Sequence, residues 1–365
     1  MGKKTDPIRR GWSARKQPAW AGSLAILAGL LVVPSTVPAA AAEPAVEMRL
    51  YPDNLFGAAF AGGIAVATGY YGAVRVSADG GVDWQPVESG TTDLIRRVAA
   101  VPGGASFAVS HRGRILESDA GGRDWRVIHE EAGLYLRDIS FSDARNGFAV
   151  GHDGVILHTA DGGKTWQRQA LANFTGRDKP RLSGVSAIDA QHAVAVGEFG
   201  VVAQTSDGGT TWTVLSEQVY PTLLQVAIAG RRGLAVGLNG TLLALDLGAD
   251  GTWAIAPIAT GTSQHLLSVA FSPDGRTALI GGAGLLLTLQ GGAFVPAKVT
   301  PEFPLGYSWI GGVAIAADGK AIAVGQGGAI LHADSTGGLF TPATTGPATG
   351  PEAVQTSTAS PRVTP

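Results

Sequence analysis

Five aspartates stand at matching places ahead of a tryptophan: Asp79 and Trp84, Asp119 and Trp125, Asp161 and Trp166, Asp207 and Trp212, and Asp250 and Trp253. A carboxylate flanked by Ser or Thr and two Gly could serve as a general acid or base, or as one arm of a calcium site. The segments are SADGGVDW (77–84), SDAGGRDW (118–125), TADGGKTW (159–166), TSDGGTTW (205–212) and the shortened LGADGTW (247–253). One active centre needs one such carboxylate, whereas five equivalent copies describe a structural turn. In that turn Asp and Ser or Thr accept hydrogen bonds from backbone amides, and the Trp covers apolar surface.

The second chemical group is cationic. Arg96, Arg97, Arg112, Arg137 and Arg181 fall in three successive copies of the pattern. A guanidinium presents a planar fork suited to carboxylate or phosphate. The alternative is that Arg96 and Arg137 are ordinary ion pairs with neighbours such as Asp138. His111, His152 and Asp153 lack the spacing of a metal site, so no metal is expected. The chain has no Cys, which removes thiolate nucleophiles and Cys-based metal or Fe–S sites. No nucleophile elbow, phosphate loop or zinc-protease motif is present, and no catalytic residue or cofactor is expected.

The elements that must carry these groups follow from the repeat. With degenerate copies ending at Phe294 and Phe340, the closing aromatics are spaced by 41, 41, 46, 41, 41 and 46 residues. Upstream of each stands an apolar run ending in Gly-x-x-Gly: Gly69 to Gly72, Gly151 to Gly154, Gly197 to Gly200, Gly237 to Gly240, Gly281 to Gly284 and Gly325 to Gly328, with Ser110 to Gly113 in the second copy. Apolar runs on either side of such tips read as hairpins, the Gly supplying positive φ. Each repeat therefore holds four short strands, in the third roughly LRDISFS, GFAVG, VILHT and WQRQ. The predicted fold is an all-β, seven-bladed β-propeller with Asp-box repeats of the sialidase-like type, spanning 45–343. The 53 Gly of 365 residues agree, since Gly is costly in helices.

Strand direction puts the Asp turns on one face and the Gly-x-x-Gly tips, with the blade-to-blade connections, on the other. The tips vary from blade to blade, and the two longer connections (170–182 and 297–309) join the same face. Variation and insertion on one face mark it as the binding surface, with Tyr70, Tyr71, His111, Arg112 and Trp309 beside the arginines.

Residues 1–18 are basic, an apolar run covers 19–33 and small residues lead to Ala42, which describes a secretory signal peptide cleaved near Ala42. Removing residues 1–42 takes away six Lys or Arg and one Asp, so the net charge falls from −2 to −7. An exported, acidic protein argues against nucleic acid as partner. Residues 344–365, rich in Pro and Thr, read as a disordered tail.

Seven Asp-box repeats with the register LRDISFSDARNGFAVGHDGVILHTADGGKTW (136–166), behind a leader, resemble the photosystem II assembly and stability factor family of cyanobacteria and plastids. The resemblance implies a periplasmic or thylakoid-lumenal propeller without enzymatic activity, whose arginine patch holds a newly inserted membrane protein. Arg96, Arg97, Arg112 and Arg137 occupy the matching region. In a host without photosynthesis the client would be another envelope complex, such as a transporter; the protein itself is expected to be a monomer. The competing reading is a sialidase-like glycoside hydrolase. It requires an arginine triad, an early Arg-Ile-Pro-type motif and a Tyr paired with Glu, for which Tyr70 and Glu198 are the candidates; the early motif is missing, and blades five to seven offer only Gln225, Ser268 and Gly312 at their inner strands.

Overall fold

Each repeat folds into four antiparallel strands, and seven such sheets form a propeller. The computed structural model describes residues 53–346 apart from 102–103, 173, 175–177 and 216–219. The expected leader (1–42) and the tail from 347 onward lie outside the described residues. The inner strands are Leu55–Ala61, Ile95–Ala100, Leu136–Phe141, Leu182–Ala187, Leu223–Ala229, Leu266–Phe271 and Ile310–Ile315. The third blade, with strands Leu136–Phe141, Gly147–Gly151, Ile156–Thr159 and Gln167–Gln169, follows the four runs expected from its sequence.

The hydrophobic core is divided into seven layers, one between each pair of neighbouring blades. Val66 and Val76 of the first blade meet Ile95 and Leu116 of the second; Leu55 and Ala67 of the first meet Ile322 and Val324 of the seventh, completing the circle. The second strand of a blade is apolar on both faces because it lies between two layers, as in Ala193–Gly197, where every residue is buried.

The box aromatics belong to these layers. Trp84, fully buried, packs with Ile322 and Ile330 of the preceding blade, and Trp212 stands edge-on to Phe148 of its preceding blade at 5.6 Å between ring centres. Trp125 and Trp166 are only partly buried.

The turn before each Trp uses its Asp as expected. Asp161 accepts from the Thr159 hydroxyl and the Thr165 amide, both at 2.9 Å, while the Gly163 amide donates to Thr159 Oγ1 at 2.9 Å. The indole N–H of Trp166 closes the turn on the Gly163 carbonyl at 3.1 Å. Asp79 and Asp207 repeat the pattern, and Asp119 accepts from the amides of Arg123 and Asp124. Asp250, in the shortened box, accepts from the Thr252 amide at 3.0 Å. These carboxylates are occupied by their own turns.

The opposite tips have a common architecture too. The residue after the first Gly donates its amide to the carbonyl just before the inner strand of its own blade: Tyr70 to Asn54, His152 to Tyr135, Glu198 to Arg181 and Gln326 to Trp309. The two Gly therefore serve different purposes. Gly72 has φ +74°, as expected of a turn glycine, but Gly69 is extended at −164° and is needed because a Cβ would lie 2.2 Å from the Asn54 carbonyl oxygen. In the sixth blade that close approach falls on Gly282, which pairs with Leu266, so this tip is one residue shorter than the Gly281 to Gly284 spacing indicates.

The ring closes without exchanging a strand. The segment after the seventh blade runs parallel to the outer strand of the first, pairing Thr344 with Asp83 and Thr345 with Trp84. Ordered pairing thus extends two residues beyond the expected boundary at 343. Asn54 Oδ1 also accepts the Gly327 amide at 2.7 Å across the closure.

Candidate functional site

Every inner strand begins with a buried aliphatic residue followed by two positions of special geometry. The aliphatic residues (Leu55, Ile95, Leu136, Leu182, Leu223, Leu266, Ile310) are all fully buried. Immediately after each one the pairing register skips a residue, as between Leu55 and Gly57 or between Ile95 and Arg97. A skipped residue is unpaired in its ladder and its side chain is redirected. Seven skips at one level place six side chains and one glycine, Gly311, at the mouth of the central channel on the tip face.

The mouth has two chemically distinct halves. Arg96 and Arg137 come from blades two and three; Leu224 and Leu267, from blades five and six, stand across the sevenfold ring from them. Ser183, Gly311 and Phe56 complete the circle. Together with Trp309 and Arg97 these residues enclose a cavity of about 260 Å³. Trp309 stacks on Phe56 at 5.1 Å, Tyr70 meets the same ring edge-on at 5.1 Å, and the Arg96 guanidinium lies 5.6 Å over it.

The floor is Arg97. Its side chain crosses the channel and donates to the backbone carbonyls of Phe56, Gly311 (2.6 Å) and Leu267 (3.2 Å), in blades one, seven and six. The level that holds it consists of small or polar residues: Gly57, Asp138, Gly184, Gln225, Ser268 and Gly312 occupy the equivalent register in the other blades. Gly312 is needed there, since a Cβ would lie 2.7 Å from the Phe56 carbonyl oxygen. Asp138 accepts from the amides of Ile139 (2.9 Å) and Val185 (3.0 Å), linking blades three and four, and its burial raises the carboxyl to about 6.

The expected basic arc is therefore split by depth. Arg96, Arg97 and Arg137 lie within inner strands, and Arg97 is a channel plug. Arg112 stays exposed on its tip, 3.6 Å from Asp93; Arg114 is engaged by Asp93 and Glu130. Arg181 is paired with Glu198. Among the described residues Arg96 and Arg137 have no carboxylate partner, so the expected alternative pairing with Asp138 is not formed. Arg137 Nε is buried without a hydrogen-bond partner, as is Ser183 Oγ beside it. Burial, then the nearby charges of Arg96, Arg181 and Arg97, lower the Arg137 guanidinium to about 9. An anion in the mouth would relieve that repulsion.

The remaining candidates surround this mouth. Tyr71 is 59% exposed and Phe199 58%, each at the second tip position with φ of 53° and 60°, a region that bulky residues rarely enter. His111 accepts the Leu94 amide on Nδ1 and meets Tyr135 edge-on, while Tyr135 stacks on His152 at 4.1 Å. The two histidines thus flank a tyrosine ring. Tyr70 and Glu198, the pair a hydrolase would need, sit in blades one and four, and Glu198 is engaged by Arg181.

Phe56, Ser183, Leu224, Leu267 and Gly311 were not among the sequence candidates. A signal for them exists: aligning the repeats on the buried aliphatic gives LFG, IRR, LRD, LSG, LLQ, LLS and IGG, whose middle letters are the mouth.

A family model described as photosynthesis system II assembly factor YCF48 matches residues 76–347. Among solved structures, one described as YCF48 bound to D1 peptide is 18% identical, with a TM-score of 0.60, covering 78% of this chain and 92% of its own. YCF48 from Cyanidioschyzon merolae is 16% identical, with a TM-score of 0.61, covering 78% and 96% respectively. U3-55K, at 12% identity and a TM-score of 0.59, covers 76% of this chain and 90% of its own. At these identities the structural likeness speaks for the fold alone. No curated protein matches the chain in sequence.

Proposed function

The chain belongs to the photosystem II assembly factor YCF48 family, and from that premise we propose that it is an exported, monomeric, non-enzymatic propeller that holds an acidic segment of a membrane-protein client at the mouth of its channel. The observation that carries this reading is the pair Arg96 and Arg137: two guanidiniums that, among the described residues, have no carboxylate partner and converge on one cavity. A similar YCF48 has been solved with a D1 peptide, which supports a membrane-protein segment as the ligand class here. In a host without photosystem II the client is another membrane complex.

Guanidinium forks bind carboxylates through two parallel hydrogen bonds, and in a partly buried mouth that contact is screened less than at a rim. Arg97 supports the site from below by tying blades two, one, seven and six together. Catalysis is not part of the reading, since the Asp-box carboxylates are occupied by their turns and Glu198 is engaged by Arg181.

The test is a titration of the protein with a labelled eight-residue peptide containing three Glu, and with its Gln counterpart. The Glu peptide is expected to bind and to weaken as salt rises from 50 to 200 mM, and Arg96→Glu with Arg137→Glu to abolish the interaction. Equal binding of both peptides, or binding unaffected by the double reversal, would contradict the proposal.

A further inference from the structure

The apolar half of the mouth has no part in holding a bare carboxylate. Leu224, Leu267 and Trp309 leave a half-buried apolar wall across the cavity from Arg96 and Arg137. Water against such a wall is displaced favourably only by another apolar group. The cavity, about 260 Å³, is closed beneath by Arg97. Its size is enough for a carboxylate together with one large side chain.

Polar groups on the cationic side point the same way. Arg137 Nε and Ser183 Oγ are both buried and unpartnered, and Ser183 is only 3% exposed. Such groups are costly unless a ligand satisfies them. The apolar wall and the cationic side line the same cavity, so a ligand that fills it meets both kinds of surface at once.

We propose that the mouth recognises a carboxylate directly adjacent to one large aliphatic or aromatic side chain, the carboxylate between Arg96 and Arg137 and the side chain against Leu224, Leu267 and Trp309. This rests on the reading of the mouth as the client site and adds the ligand's second chemical requirement. The carboxylate comes either from an acidic side chain or from a chain end; the chemistry at the arginines is the same.

Four eight-residue peptides separate these sources. The first carries an internal Glu next to Leu with an amidated C-terminus; the second replaces that Leu by Ser. The third has no acidic side chain and ends in Leu with a free carboxylate; the fourth is its amide. Calorimetric titration of the wild-type protein is expected to show at least tenfold tighter binding of the first than of the second if the source is a side chain. If the source is a chain end, the third should exceed the fourth by the same factor, which corresponds to about 1.4 kcal/mol. Leu267→Asn should reduce that preference, with the fold checked by circular dichroism.

If the Leu and Ser peptides bind alike, the free-carboxylate peptide has no advantage over its amide, and binding still depends on Arg96 and Arg137, the apolar requirement is overturned while the client site stands. Preference for Leu that survives reversal of both arginines overturns the client site itself. No binding by any of the four overturns both.

Discussion

The Arg97 guanidinium of the second blade donates to the Gly311 carbonyl of the seventh at 2.6 Å, across the channel of the propeller. A side chain that begins in one inner strand and ends on three others acts as a crosspiece. It also converts an open channel into a blind cavity at the tip face, which is why the mouth above it can hold a ligand.

Replacing that crosspiece should therefore be a stability change before it is a binding change. Arg97→Leu leaves the carbonyls of Phe56, Gly311 and Leu267 without their donor, and a loss of at least about 2 kcal/mol is expected. Urea denaturation measures it. An Arg97→Leu protein as stable as wild type would show that the guanidinium is a passenger in the channel.

The box tryptophans should divide by burial. Trp84→Ala removes a fully buried ring from the layer joining blades seven and one and should cost about 3 to 5 kcal/mol. Trp166→Ala, at a partly buried site, should cost clearly less, and neither should alter peptide affinity per folded molecule. Thermal melts and titrations of the two variants decide the matter; equal losses would refute the layer assignment.

The Asp boxes make an acid-sensitivity prediction. Thr165, through hydroxyl and amide, holds the Asp161 carboxyl down at about 2, below the value of about 4 usual for an unfolded chain. The stabilisation from a depressed carboxylate is complete above the unfolded value and drains away as pH falls toward the folded one. Stability should accordingly decline between pH 4 and pH 2, and Asp161→Asn should flatten part of that decline, as read from melting temperature against pH. A decline of the same steepness in the variant would contradict the role given to Asp161.

The repeats made most of the fold legible. Seven aromatics at regular spacing, five Asp boxes and seven tips specify four strands per blade, because each pattern marks a turn whose residue chemistry is local. The mouth was less legible, because its residues share a position and not a type. Phe56, Arg96, Ser183, Leu224 and Gly311 have nothing in common except the skipped pairing after a buried Leu or Ile, and the side-chain direction set by that skip is a property of two strands together. The arginines stood out by charge, but charge alone could not tell Arg97, held by three carbonyls, from Arg96, which lies over an aromatic ring. Nor could it tell that Arg181 and Arg114 would be neutralised by Glu198 and Asp93, residues brought to them by hairpin and connection geometry.

The placement of the client site at the channel mouth is tested most directly by retention of membrane proteins on immobilised protein. Wild type, the mouth double variant Arg96→Glu with Arg137→Glu, and an opposite-face control, Arg123→Glu with Lys164→Glu in the Asp-box turns, would be presented with detergent-solubilised membranes of the host. The mouth variant should lose the membrane protein that wild type retains, at an unchanged melting temperature, while the control keeps it. Retention by the mouth variant equal to wild type, or loss by the control alone, would place the client on another surface and contradict the assignment.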